Sequence, residues 1–193
     1  MIENELLKFA SKYVILTEEE TKAIVEEIPV VTFKKGTILL REGEVSKACY
    51  FILKGCIRQF YLVDGEEKTT AFYTEEQAVV SMTSYTQQVP ASHYFACVED
   101  TTATVGYFGK EAEMYGRFPR FEALTRTLVE QDYGKSQEAL AVFITSSPEE
   151  RYLHLLETNP ALLQRVPQHQ IAGYLGMTPE SLSRIRKRVA AKK

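Results

Sequence analysis

Hydrophobic periodicity changes once along this chain, and the change divides it into two unlike parts. From Pro29 to about Gly109, short β-branched and aromatic runs alternate with turns, at the spacing of an antiparallel barrel or sandwich. Asp64-Gly65 is a hairpin signal within this part. After Gly109 the strand pattern stops and the apolar repeats have helical spacing. The sequence therefore predicts a β-roll followed by helices. The glycines at the predicted turns are Gly36, Gly43, Gly55 and Gly65.

Helices are also expected before the roll, and one segment interrupts its strands. Leu6 to Val14 follow helical spacing. Thr17 and Glu20 form a capping box, which predicts a second short helix over residues 18–27. Residues 78–92 have the pattern of a helical or irregular insert, and two further strands, YFACV and TATVGYF, follow it.

A long helix is predicted between the roll and the C-terminal region. Lys110 to Phe118 indicates a short helix, and Pro119 opens one that continues to about Thr145. Its apolar stripe has few partners within 193 residues, so we expect part of it to face a second copy in a homodimer. Ser147 and Pro148 begin the next helix, which places a hinge at 146–148. The predicted regions are 1–118, the effector β-roll with N-terminal helices; 119–146, the dimerisation helix and hinge; and 147–193, the helix-turn-helix domain described below.

Composition excludes several classes of protein. With 45% hydrophobic and 25% charged residues, the chain is expected to be globular rather than disordered or fibrous. No apolar run has the length of a membrane span, and the N-terminus lacks a signal-peptide pattern. The cysteines Cys49, Cys56 and Cys97 are odd in number and far apart, which fits buried packing residues in a reducing compartment. The sequence therefore predicts a cytoplasmic protein with no membrane partner and no metal.

Charge is distributed unevenly along the chain. Residues 161–193 contain seven basic residues and one acidic residue, a formal charge of +6 in a chain whose total is −3. A basic block on an acidic body indicates a polyanion partner for the block alone. A solvated basic tail is the alternative that charge alone leaves open. The basic residues are Arg165, Arg184, Arg186, Lys187, Arg188, Lys192 and Lys193.

The C-terminal residues carry the pattern of a helix-turn-helix. Pro167 to Leu175 predicts one short helix and Pro179 to about Val189 predicts another, with three residues between them. Gly176 can adopt the left-handed conformation that ends a helix, and Thr178 can cap the second helix. Ala172 is small where the second helix is expected to approach. The residues expected to pack together are Ile171, Leu175, Leu182, Ile185 and Val189.

The outward face of the second helix suits duplex DNA. Its first turns hold Glu180, Ser181 and Arg184, where a recognition helix meets base edges in the major groove. Arg184 can bind guanine through two hydrogen bonds, and Glu180 can accept one from the amino group of cytosine. Favourable charge at a helix C-terminus is the alternative explanation for the arginines. The candidate DNA-binding residues are Gln168, His169, Thr178, Pro179, Glu180, Ser181, Arg184, Arg186, Lys187 and Arg188.

Over nearly its whole length the chain resembles the Crp/Fnr family of bacterial transcription regulators. The stretch FKKGTILLREGEVSKACYFILKGCIRQFYL is similar to the glycine-punctuated strands of the family's cyclic-nucleotide-binding-like roll. The resemblance implies an α+β fold with an antiparallel jelly-roll effector domain, a dimerisation helix and a C-terminal helix-turn-helix. Members generally carry arginine where this chain has Pro179, so a different base preference is expected. The positions that members use to read DNA are matched by Pro179, Glu180, Ser181 and Arg184.

The resemblance also indicates where this chain departs from members that bind cyclic nucleotides. Those members have a Gly-Glu pair before a short helix and an Arg-Ser or Arg-Thr pair after it. Glu75 or Glu76 stands near the acidic position, without a preceding glycine. No arginine occurs from Gln59 to Gly116, and Ser92 and His93 occupy the place of the phosphate arginine. A buried cyclic phosphate needs a charged bidentate donor, so neither cAMP nor cGMP is expected as the ligand.

Other effectors have weaker support, and no cofactor is predicted. An iron–sulfur sensor needs about four cysteine ligands, and a haem would depend on the single residue His93. Aromatic side chains could line a pocket for an apolar or aromatic effector; core packing and a roll without any ligand are the alternatives. The candidate effector pocket comprises Tyr73, Glu75, Glu76, Ser92 and His93.

These observations predict a homodimeric regulator that binds a palindromic site in double-stranded DNA. A ligand-sensing or protein-interaction module, whose helix-turn-helix packs against another protein, is the alternative from a different class. An enzyme is not expected, because the three histidines are spread over both parts of the chain and no catalytic triad or pair of acids stands out. The effector, the operator sequence and the direction of regulation stay open.

Overall fold

The computed structural model describes residues 3–191, so Lys192 and Lys193 of the basic block lie outside the described residues. The strands are β1 Val30–Phe33, β2 Ile38–Leu40, β3 Ala48–Lys54, β4 Ile57–Val63, β5 Glu66–Tyr73, β6 Ala78–Val79, β7 Tyr94–Cys97 and β8 Thr101–Tyr107. The helices are α1 Glu3–Ala10, α2 Glu18–Glu27, α3 Met82–Gln87, α4 Lys110–Arg117, α5 Pro119–Thr145, α6 Pro148–Thr158, α7 Leu162–Arg165, α8 Gln168–Tyr174 and α9 Pro179–Ala190. None of these helices is long and apolar enough to cross a membrane.

The strands form two four-stranded antiparallel sheets, as the sequence predicts. Their orders are β1-β8-β3-β6 and β2-β7-β4-β5, so neighbouring strands are mostly distant in sequence and the chain crosses repeatedly between the sheets. Asp64 and Gly65 join β4 to β5 with φ values of 53° and 79°, the positive values that this tight hairpin turn requires. The α+β jelly-roll fold is confirmed. The core between the sheets consists of Leu40, Ile52, Ile57, Val79, Ala91, Phe95 and Cys97.

Helices form before and within the roll where the sequence predicts them, but α1 is shorter than expected and the insert also contains a strand. Thr17 caps α2 through its hydroxyl, while the Glu20 carboxylate accepts the Thr17 N–H at 2.8 Å. α1 ends at Ala10, and residues 11–13 form a turn, so the predicted continuation to Val14 was wrong. The insert at 78–92 contains both the short strand β6, which pairs with β3, and the helix α3.

The long helix α5 begins and ends where the sequence predicts. Pro119 occupies its first turn, where a missing N–H costs nothing. Phe121 is its only buried residue within the described chain, and it packs with Phe118 and α2. Farther along, Tyr133 and Ile144 are 67% and 72% exposed, as part of an uncovered apolar surface. The other exposed large apolar side chains of α5 are Val129, Leu140 and Phe143.

The C-terminal helices share their core with the roll. The single-turn helix α7 was not predicted. Leu162 and Val166, at its two ends, belong to the same buried cluster as Cys56 and Val98 of the roll. On the adjoining surface Phe72 of β5 meets the ring edge of Tyr174 at a centroid distance of 5.3 Å. The helical region therefore packs directly against the end of the β-roll.

Candidate nucleic-acid interface

The turn between α8 and α9 is closed by backbone hydrogen bonds. The Met177 N–H donates to the Ala172 carbonyl at 2.9 Å, and the Gly176 N–H donates to the Gly173 carbonyl at 3.0 Å. Gly176 has φ 67°, the left-handed value of a Schellman-type helix end. Thr178 then caps α9, because its hydroxyl accepts the Ser181 N–H at 3.2 Å. The predicted helix-turn-helix is confirmed in its turn and cap.

Apolar packing holds α9 from behind. Leu182 and Ile185 are buried against Ile171 of α8 and Leu175, the residue that follows α8. Ala172 is 0% exposed, so a larger side chain there would separate the two helices. Tyr152 and Leu155 of α6 complete the cluster, and the partly buried Val189 packs against it. Because these contacts fix the rotation of α9 about its own axis, they also fix which residues face outward.

The outward edge of α9 contains the predicted residues. Arg184 is exposed, and its Nε lies 3.4 Å from the Glu180 carbonyl oxygen, within its own helix. Hydrogen bonds from its own backbone N–H and from the Thr178 hydroxyl hold the pKa of Glu180 below its usual range. Its carboxylate is therefore ionised near neutral pH and can accept hydrogen bonds. Ser181 is half-buried. The exposed candidates are Gln168, His169, Thr178, Pro179, Glu180, Arg184, Arg186, Lys187 and Arg188.

Two arginines of the basic block have partners inside the protein. Arg188 forms an ion pair with Glu149 in the first turn of α6, so its guanidinium is shared between this carboxylate and solvent. Arg165 turns away from α9 altogether and bonds to Glu75 and Glu99 of the roll. The sequence-level count of seven bases thus overstated the charge available to a polyanion. Nothing in the local sequence around Arg165 distinguishes it from the other arginines.

The helix-turn-helix also contacts the end of α5. The Arg151 guanidinium lies over the ring of Phe143 at 4.5 Å from its centroid, and it donates to the Phe143 carbonyl at 2.8 Å. A Cβ placed on Gly176 would stand 3.0 Å from Cζ of Phe143. The turn therefore approaches the long helix closely, and glycine at 176 serves this approach as well as the backbone conformation.

The predicted effector-pocket residues are separated by their contacts. Tyr73 donates to Gln59 at 2.8 Å and lies beside Phe95 in the core between the sheets. Glu75 faces Arg165 instead, and Glu76 bonds to Lys12 at the surface. Ser92 is exposed. These contacts do not bring the two glutamates to the other three residues, because both lie in the turn that precedes β6 at one end of the roll.

His93 is the pocket candidate whose surroundings are most unusual. It lies between the rings of Tyr61 and Phe95, and both of its ring nitrogens are buried without a hydrogen-bond partner. Burial lowers the pKa of His93, so the neutral ring is favoured. The geometry does not group it with metal ligands: within residues 3–191, no cluster of three histidine, cysteine or acidic side chains could hold a metal ion.

A buried arginine of the roll, Arg58, directly precedes the stretch from Gln59 to Gly116 that contains no arginine. Arg58 of β4 pairs with Phe72, so both side chains are on the sheet face that packs against the C-terminal helices. Its neighbour Ile57 points into the core. Arg58 bonds to Thr69 and Glu67 of β5 and lies over the ring of Phe60. It is therefore directed away from the space between the sheets.

Comparison with known proteins agrees with this architecture. Residues 30–111 match the family model of the cyclic nucleotide-binding domain. The transcriptional activator protein FnrA of Stutzerimonas stutzeri is 23% identical over an alignment of 164 residues that covers 79% of this chain and 66% of FnrA, just under two thirds of its length. FixK2 from Bradyrhizobium japonicum has a TM-score of 0.71 at 17% identity, with 86% of this chain and 85% of FixK2 covered. The catabolite activator protein of Thermus thermophilus has a TM-score of 0.54 at 19% identity, with 92% and 85% covered.

Proposed function

We propose that this chain is a regulator of the Crp/Fnr type, a homodimeric, sequence-specific DNA-binding transcription regulator. The observation that carries the proposal is the outward edge of α9, on which Glu180 and Arg184 are exposed while Leu182 and Ile185 hold the helix from behind. This is the arrangement that lets a recognition helix enter the major groove with its N-terminal residues at base edges.

Each side chain on this edge has a defined task in the proposal. Arg184 donates two hydrogen bonds to a guanine, and the ionised Glu180 accepts one from a cytosine amino group. Arg186 and Lys187, one turn later, contact phosphates, as do Gln168 and His169 at the start of α8. Arg188 is also paired with Glu149, which reduces the charge that it offers to a phosphate. Thr178 and Pro179 fix the start of the helix.

The dimer is proposed to form through α5. Its exposed apolar residues, including Tyr133 and Ile144, would be covered by the same surface of a second copy around a two-fold axis. Two recognition helices related in this way read half-sites about 34 Å apart, which corresponds to one turn of B-DNA. A palindromic operator follows from this symmetry.

We further propose that the roll does not respond to cAMP. The short helix α3 is preceded directly by Ser81, so the position before the helix has no carboxylate to hold a ribose hydroxyl. Arg58 is the first arginine before α3 in the sequence. Its side chain is on the face of the sheet directed away from the space between the two sheets, and it is bonded to Glu67. Calorimetric titration with cAMP should give no saturable heat up to about 1 mM, where even a weak site would be detected. Saturable binding in the micromolar range would contradict this part of the proposal.

Selection of bound duplexes from random DNA with the purified dimer tests the main proposal. We expect an enriched inverted repeat, whose binding weakens steeply with salt because phosphate contacts release counterions. Arg184→Ala should remove the preference for guanine at the position it reads in the enriched repeat, without changing the dimer mass measured by sedimentation. Arg41→Ala, which removes an exposed arginine on the roll, is the matched control and should leave the enriched sequence unchanged. No retention of any duplex at low salt would instead favour the protein-interaction alternative.

A further inference from the structure

One arginine of the C-terminal region is held by three turns at the same end of the roll. The turns are β3–β4, which contains Gly55; β5–β6, which contains Glu75; and β7–β8, which contains Glu99. The guanidinium of Arg165 donates to both oxygens of Glu75 at 2.8 Å, to the Gly55 carbonyl at 2.8 Å and to Glu99 through Nε at 2.9 Å. All three nitrogens of the guanidinium therefore donate to this group of acceptors, which we call the acidic socket.

The acidic socket is preorganised by the roll itself. The Gly55 N–H donates to Glu75 at 2.8 Å, so the carboxylate is also oriented by a bond that does not involve Arg165. Gly55 has φ 117°, and a Cβ there would lie 2.6 Å from Cα of Thr101, so the β3–β4 and β7–β8 turns are closely packed. Burial alone would raise the pKa of Glu75, but the bonds from Arg165 and Gly55 outweigh it and hold the pKa below its usual range.

Apolar contacts surround the socket and limit its exposure. The Arg165 side chain is 25% exposed. Leu162 and Val166, on either side of it in sequence, are buried together with Cys56 and Val98 of the roll. The edge contact between Phe72 and Tyr174 extends the same interface to α8. The forked hydrogen bonds of Arg165 lie next to a buried apolar contact. They therefore require a particular orientation of the helix-turn-helix domain on the roll, and they also stabilise that orientation.

A second attachment lies at the end of α5. Phe143 packs on the turn at Gly176, and Arg151 bonds across the same corner. The helix-turn-helix domain is therefore attached at two places. One is the acidic socket on the roll, and the other is the end of α5, where Phe143 contacts Gly176 and Arg151. A rigid body attached at one point can pivot about it, whereas two separate attachments remove most of that freedom.

We infer that Arg165 is a positioning residue for DNA recognition rather than a DNA contact. By locking the helix-turn-helix onto its own roll, it sets the separation and angle of the two recognition helices in the dimer. Arg165 thereby restricts the spacing between half-sites that the dimer accepts. This inference deepens the proposed function and rests on it for its DNA part, while the docking itself can be measured without DNA.

The first experiment measures docking in the protein alone. The chain contains no tryptophan, so Tyr174→Trp places a single reporter at the Phe72 contact. We expect shielded emission that Arg165→Gln shifts to the red, with acrylamide quenching increased at least about twofold as the interface opens. Arg41→Gln is the matched control, because it removes an arginine whose partner Glu44 is in the same domain. Equal quenching with and without Arg165→Gln would overturn the docking role.

The second experiment measures spacing with inverted repeats whose half-sites are separated by varied numbers of base pairs. The parent and Arg41→Gln proteins should lose about tenfold or more in affinity when the separation changes by two base pairs, because the half-sites rotate around the duplex. Arg165→Gln should reduce this loss to about threefold, while keeping the same penalty for replacing the guanine read by Arg184. A merely structural defect would lower affinity equally at every spacing.

Further variants keep the inference falsifiable. Arg165→Lys retains the charge but cannot form the forked bonds, so its spacing profile should lie between the two extremes. If Arg165→Gln fails to fold, Glu99→Gln removes one wall of the socket and should broaden the profile in the same direction. An unchanged profile in the folded variants would overturn the inference. Absence of specific binding by the parent protein would overturn the proposed function, while the tryptophan result would still decide whether Arg165 docks the domain.

Discussion

The short helix α7 and the recognition helix α9 use arginines from the same basic block in opposite ways. Arg165 at the end of α7 points inward and is surrounded by acceptors of the roll. Arg184 in α9 points outward and is exposed beyond its own helix. The two residues are 19 positions apart in the sequence. A run of basic residues therefore predicts a polyanion partner only for those residues whose side chains the fold leaves in solvent.

The largest expected effect concerns the apolar packing that holds the Arg184 edge of α9, because its loss should lower the free energy of unfolding. Leu182 is 1% exposed beneath the outward edge of α9, so Leu182→Ala leaves a cavity and should lower the free energy of unfolding by about 2–5 kcal/mol. DNA binding should fall with it, because α9 loses its support. Chemical denaturation measures the change. Leu153→Ala, at a 41% exposed position of α6, should cost less than about 1 kcal/mol; equal losses would mean that α9 is not held as described.

The tasks of neighbouring arginines on α9 can be separated by their dependence on DNA sequence and salt. Arg184→Ala should cost about 1–3 kcal/mol of binding free energy and relax the preference at one base pair. Arg186→Ala should weaken binding uniformly across sequences and reduce the salt slope by about 1. Fluorescence anisotropy over a series of salt concentrations and base substitutions distinguishes the two. A uniform loss for Arg184→Ala would move this residue from base reading to phosphate contact.

The cap of α9 is predicted to matter more for DNA than for the rest of the protein. Thr178→Ala removes the acceptor for the Ser181 N–H and should lower the unfolding free energy by about 0.5–2 kcal/mol. DNA affinity should fall in addition, since the first turn of the recognition helix frays. Thr17→Ala removes the equivalent cap of α2 and should destabilise by a similar amount with DNA affinity unchanged. An equal loss of DNA affinity in Thr178→Ala and Thr17→Ala would contradict a specific role of the α9 cap in DNA binding.

Acid should loosen the docking at α7 through Glu75. Because its pKa in the folded protein is depressed below the ordinary value of 4.5, Glu75 stabilises docking fully above that pH. This stabilisation of docking begins to fall as the pH drops below 4.5, and it is lost as the pH passes through the depressed pKa of Glu75. Quenching of the Tyr174→Trp reporter should therefore rise in this acid range. Glu75→Gln should quench more at neutral pH and show less change with acid; an identical pH profile in both proteins would exclude Glu75 as the cause.

Local sequence signals predicted the elements whose causes are local. The capping boxes at Thr17 and Ser147, the proline that opens α5 and the Asp64-Gly65 hairpin each satisfy their backbone groups within a few residues. The helix-turn-helix belongs to the same class, because glycine at 176 and the cap at 178 determine where its helices end. Such features depend on dihedral preferences and short-range hydrogen bonds, which the sequence specifies directly.

Long-range contacts limited the prediction of the effector residues and of the basic block. Glu75 was predicted in a pocket with His93, but the turn that contains it faces Arg165, 90 positions later. Arg58 directly precedes the arginine-free stretch that begins at Gln59, and only the strand register shows which face of the sheet it occupies. The helix α7 is too short for its periodicity to identify it.

Apart from the short elements β6 and α7, sequence patterns predicted the order of the strands and helices, the turn and cap of the helix-turn-helix, and the exposed residues on the outer edge of α9. These follow from period, glycine conformation and capping, all of which act over a few residues. The enclosure of Arg165 by three turns of the roll, and the exposure of Arg184 to solvent, depend instead on contacts between distant parts of the chain. The physical reason is that a guanidinium bonds to whichever carboxylates the folded backbone brings within about 3 Å of it.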